Sequence, residues 1–72
     1  MKNFIYDSII IDFEVPKILQ NCIDEAEKAD AENSLGTYLA WADNLDTVAK
    51  NCCAAGAITE EMWNTLNMRY VQ

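Results

Sequence analysis

Histidine is absent, glycine occurs twice, proline once, and five of the seventy-two residues are basic. Each shortage removes something. Without histidine the chain lacks the commonest general base, metal ligand and physiological pH switch. Gly36 and Gly56 stand alone and far apart, so no glycine-rich phosphate loop can form. Few turn-formers also argue against a small β-barrel. Five bases against twelve acids give a net charge of −7 and a pI near 4.1. Binding DNA, RNA or anionic lipid relies on Lys and Arg displacing counterions, so direct nucleic-acid or membrane-surface binding is not expected. The longest apolar run near the N-terminus is Ile9-Ile10-Ile11, far short of the roughly 20 residues that span a bilayer. Met1 to Asp7 lacks the charged-then-apolar order of a signal peptide.

Cys22, Cys52 and Cys53 make an odd set without secretory context, which predicts free thiols and a cytoplasmic protein. Cys22 and Cys52 are expected to lie about 9 Å apart along a helical hairpin at roughly 1.5 Å rise per residue. That is too far for a disulfide. Three thiols without histidine make a poor zinc site, and vicinal Cys52-Cys53 is not a CxxC motif. Asp30-Ala31-Glu32-Asn33-Ser34 starts like a calcium loop, but glycine falls one position late and Trp41 stands where glutamate is needed. Neither Ser8 nor Ser34 has a base beside it. Catalysis, cofactor and metal are therefore not expected.

What is present is helical periodicity. Val15, Ile18, Leu19, Cys22, Ile23, Ala26 and Ala29 step by three and four, with polar residues between them. Pro16 suits the first turn, and Asp12 is a candidate N-cap. Leu35, Tyr38, Ala42, Leu45, Ala49 and Cys52 continue the pattern, widened by Trp41 and Val48. Ser34 is a candidate N-cap there, and Gly56 the left-handed residue past the end. Thr59 caps a third helix whose first turn carries Glu60 and Glu61. Residues 2–14 are ambiguous: Tyr6, Ile9, Ile10 and Phe13 fit a helical stripe, while the isoleucine run suits a strand. The predicted fold is all-α and a single domain over 1–72. It is a small bundle built on an antiparallel hairpin (about 15–32 and 34–55), with a short third helix (60–70) and an N-terminal short helix or arm.

Two features point outward. Between Asp24 and Asp46 lie seven acids, Asp24, Glu25, Glu27, Asp30, Glu32, Asp43 and Asp46, against one base, Lys28. That net −6 is nearly the whole excess charge, and a hairpin gathers it toward Asn33. Asp30 and Glu32 also sit near the C-terminus of the first helix, where the dipole disfavours anions by about 0.3–1 kcal/mol each. The aromatic pair Trp41 and Trp63 is the second feature, since tryptophan at the edge of a small core often anchors an interface.

The lead-in Ala55-Gly56-Ala57-Ile58-Thr59-Glu60-Glu61, in a short acidic helical chain, resembles small proteins of phages and mobile elements. No functional residue carries over from that resemblance. The expected function is non-enzymatic: an acidic helical surface offered to a basic partner protein, with Asp24, Glu25, Glu27, Asp30, Glu32, Asp43, Asp46, Trp41 and Trp63 as partner-binding candidates. Its sharpest form is an inhibitor of a nucleic-acid-binding enzyme, of the anti-CRISPR or anti-restriction type. The alternative is a helical module that self-associates into a homo-oligomer and inhibits nothing.

Overall fold

In the computed structural model, which describes residues 3–71, the order is an N-terminal arm, α1 (Lys17–Ala31), α2 (Leu35–Ala54) and α3 (Glu60–Leu66). A π-helical turn, Asn67–Val71, continues α3. The described residues hold helices and no strand, and α1 and α2 pack on each other as the predicted hairpin.

Helix boundaries follow from local chemistry. α1 opens on the Pro16 carbonyl, which accepts from the Leu19 and Gln20 amides at 3.0 and 2.9 Å. Pro16, and not Asp12, is the residue at the N-cap position, and no side chain caps that end. At the other end the Ser34 amide donates to the Ala29 carbonyl and the Asn33 amide to that of Asp30. Asn33 adopts φ 54°. This is a Schellman close with asparagine in the left-handed place. Ser34 then opens α2 through its backbone carbonyl, without a side-chain cap. α2 ends the same way, with Ala57 donating to Cys52, Gly56 donating to Cys53, and Gly56 at φ 81°. The Thr59 hydroxyl caps α3 through the Met62 amide at 3.1 Å.

The core is one cluster: Leu19, Cys22, Ile23, Ala26 and Ala29 from α1, Tyr38, Ala42, Leu45, Ala49 and Cys52 from α2, with Ile5, Ile58, Leu66 and Tyr70 closing over them. The expected stripes overran it. Ile18 is 61% exposed, and Leu35 is exposed as well. Both lie in a first helical turn, on the flank of the stripe and outside the interhelical contact.

Residues 3–16 form an arm and no helix. Ile11, Phe13 and Val15 pack against the core, while Ile10 (67% exposed), Asp12 and Glu14 face water. That period of two is the mark of extended chain. The expected stripe of Tyr6, Ile9, Ile10 and Phe13 is therefore replaced by alternation. α3 and its π-helical turn lie against α2 on the arm's side of the hairpin. The Trp63 indole N–H donates to Asp46 Oδ1 at 3.1 Å, and the Tyr38 hydroxyl donates to the Tyr70 carbonyl.

Burial, then the Asp30 charge, then Tyr70 and Glu27, push the Tyr38 phenol up from near 10 to about 12, with Arg69 opposing. Tyr70 is raised too, chiefly by burial. A phenol raised on folding is neutral in the native state, so its contribution is complete below pH 10 and is lost as pH climbs toward 12. Denaturation monitored across that range should show falling stability, and Tyr38→Phe should flatten the fall. An equally steep decline in the variant would assign it to other groups.

Candidate interaction surface

The seven acids of the hairpin divide by environment. Asp30 is 2% exposed and lies inside the molecule. Its carboxylate accepts the backbone amides of Phe4 at 2.6 Å, Ile5 at 3.1 Å and Asn3 at 3.3 Å, while Asn3 Nδ2 donates to the Asp30 carbonyl at 2.6 Å. Its expected place on the acidic surface is corrected. The unfavourable helix dipole is offset by three oriented N–H groups that need an acceptor.

Glu27, half-buried, faces the C-terminal turn. Its Oε2 accepts from the Tyr70 hydroxyl at 3.0 Å and stands 3.7 Å from Arg69 Nη2. Arg69 Nη1 donates to the Ile9 carbonyl at 2.6 Å, and the Tyr6 amide donates to the Arg69 carbonyl at 2.9 Å. One arginine therefore clasps α1, the arm and the C-terminal turn. Asp46 is half-buried beneath the Trp63 indole. Glu27, Asp30 and Asp46 are thus structural ligands of their own chain.

Asp24, Glu25, Glu32 and Asp43 remain in solvent on the half of the hairpin nearest the Asn33 link, with Lys28 exposed among them. Asp24 accepts from Gln20 Nε2 at 2.9 Å. These acids do not share one face. Glu25 and Glu32, seven residues apart, follow one line along α1, whereas Asp24 and Asp43 look outward from opposite helices. Both tryptophans are half-buried against the core, Trp63 with its N–H satisfied and Trp41 on the far edge of α2. The exposed apolar side chains that sequence reasoning missed are Leu39 (55%), Met68 and Val71. Leu39 carried a signal of its own, since it falls outside the three–four step.

All three cysteines are free. Cβ atoms tilt toward a helix N-terminus, so in antiparallel helices Cys22 and Cys52 lean toward each other despite their axial offset. Burial raises the Cys22 thiol, and neighbouring Cys52 raises it further. Ellman reagent should count three thiols in denaturant. In the native protein half-buried Cys53 should react first and buried Cys22 last. A denatured count of one would reveal a disulfide and overturn the assignment of three free thiols.

No cavity opens among the described residues, and no group of three or more Cys, Asp or Glu gathers there in a metal-holding cluster. No helix among them is long and apolar enough to cross a membrane. The class of protein is a small all-helical bundle, with Asp24, Glu25, Glu32 and Asp43 exposed between the middle of the hairpin and its Asn33 link and other exposed acids, such as Asp12, Glu14, Glu60 and Glu61, outside the two long helices. The chain matches no family model, and neither a curated protein nor a solved structure is significantly similar to it.

Proposed function

We propose that this protein is a non-enzymatic interaction protein that offers an acidic helical surface to a basic protein partner in the cytoplasm. In its sharpest form it is an inhibitor, of phage or mobile-element type, occupying the nucleic-acid-binding surface of an enzyme. The observation that carries the reading is the division of the acids. Once Glu27, Asp30 and Asp46 are used internally, Asp24, Glu25, Glu32 and Asp43 still crowd the same half of the hairpin in water. Four solvated carboxylates on that half attract a basic surface over about 8 Å at physiological salt, although they do not share one face, and this speeds encounter and makes binding salt-sensitive.

The test is a combined Asp24→Asn, Glu25→Gln, Glu32→Gln, Asp43→Asn variant, assayed against a basic partner recovered from the native host. Affinity should fall at least tenfold, while stability stays within about 0.5 kcal/mol, as for solvated surface positions. Affinity indifferent both to the variant and to salt would sink the reading. Salt-tolerant sedimentation as a homo-oligomer would favour the self-associating module instead.

A further inference from the structure

The arm, α3 and the C-terminal turn all lie on one side of the hairpin. The hydrogen bonds that hold them leave from the same flank: Glu27 and Asp30 on α1, Tyr38 and Asp46 on α2. None of these bonds leaves from the opposite flank. There Ile18, Glu25 and Glu32 recur every seven residues along α1, and Thr37, Asn44 and Asn51 do the same along α2. All six are exposed, and between the two lines lie the half-buried side chains of Trp41 and Val48. A seven-residue step drifts about 20° around a straight helix, so each line stays on its flank.

We infer that this flank receives a basic amphipathic helix of a partner protein, laid over half-buried Trp41 and Val48 and bordered by exposed Glu25 and Glu32. The inference deepens the acidic-surface reading and rests on it. The argument for the occupant is charge. The flank carries two carboxylates and no lysine or arginine, since Lys17 and Lys28 lie on the outer side of α1 and Lys50, four residues after Asp46, lies on the other side of α2 from Trp41. Two acids two turns apart, about 10 Å at 1.5 Å per residue, match lysines or arginines at the same seven-residue spacing on a helix laid along the flank. Half-buried apolar side chains between the two exposed lines suit the docking of an amphipathic helix, and a central tryptophan is the usual anchor. A second copy fits less well, because each copy brings a net charge of −7.

The experiment titrates the full ¹⁵N-labelled chain with a synthetic helix bearing a leucine stripe flanked by lysines seven residues apart, and with its lysine-to-glutamate counterpart. Shifts should concentrate on the Trp41 indole and the amides of 25–32 and 41–48. Binding should weaken at least tenfold in Trp41→Ala. The same loss is expected in Glu25→Lys, Glu32→Lys, whose positions are solvated and spare the fold. Asp24→Asn, Asp43→Asn should stay within twofold. Salt-sensitive binding that maps elsewhere overturns this docking site and leaves the acidic-surface reading standing. Equal binding of both peptides, or of neither, overturns both. A dimer of the free protein that the lysine peptide dissociates would make the occupant a second copy, and that also overturns the inference.

Discussion

Asp30→Ala should lower stability by about 3 kcal/mol, because buried amides that lose a charged acceptor forfeit roughly 1–3 kcal/mol each and not all of that can be recovered by water. In a chain of this size such a loss moves the melting temperature down by at least about 12 °C. The amides of Asn3, Phe4 and Ile5 converge on this one carboxylate, and Ile5 behind them is almost fully buried. Removing the carboxylate therefore releases both the arm and a core side chain. Asp30→Asn keeps the shape but turns one acceptor into a donor facing donors, so its loss should be intermediate. Urea titration with amide exchange at Phe4 and Ile5 measures both effects. A change below about 0.5 kcal/mol in the alanine variant would mean that the carboxylate is an ordinary surface group.

The second large effect concerns two leucines of α2, Leu39 and Leu45. Leu45 has no exposed surface and meets the core from the middle of its helix. Leu45→Ala should cost about 2–5 kcal/mol, a transfer loss plus the cavity left behind. A 72-residue domain at roughly 0.05–0.15 kcal/mol per residue has little more than that to lose. Leu39→Ala, at a site open to water, should change stability by less than about 0.5 kcal/mol. Comparable losses at the two positions, by urea midpoint at constant slope, would refute this division of the helix into covered and open sides.

The contrast shows what periodicity can and cannot disclose. Leu45 was recognisable because it continues the step from Tyr38 and Ala42, and that step is set by helix geometry alone. The hairpin, its short link and the cap at Thr59 were legible for the same local reason. Ile18 and Leu35 misled because a stripe records which residues are apolar, whereas burial depends on where the neighbouring helix happens to reach. The alternation at Ile9, Ile11, Phe13 and Val15 was present in the chain, but three consecutive isoleucines hide a period of two. Asp30 could not be read at all. Its partners are backbone amides 25 to 27 positions away, and backbone carries no sequence signature. Of the acidic candidates, Asp24, Glu25, Glu32 and Asp43 kept their predicted exposure, and the bond Asp24 accepts comes from Gln20 on its own helix. The three that became structural did so through the arm (Asp30), α3 (Asp46) and the C-terminal turn (Glu27), segments whose docking on the hairpin the periodic pattern did not reach.

The clasp between Arg69 and Ile9 joins residues 60 positions apart, while the link between α1 and α2 closes over three. Loop-closure entropy grows with the logarithm of length, and the twentyfold difference amounts to about 2.7 kcal/mol. Chains with short-range contacts fold fast, and distant pairings wait. Closing the hairpin is therefore the cheaper step, and docking the two ends is the costlier one. Asp30 and Glu27 bear that cost on one flank, so the same two carboxylates that hold the ends also decide which side of the hairpin they cover.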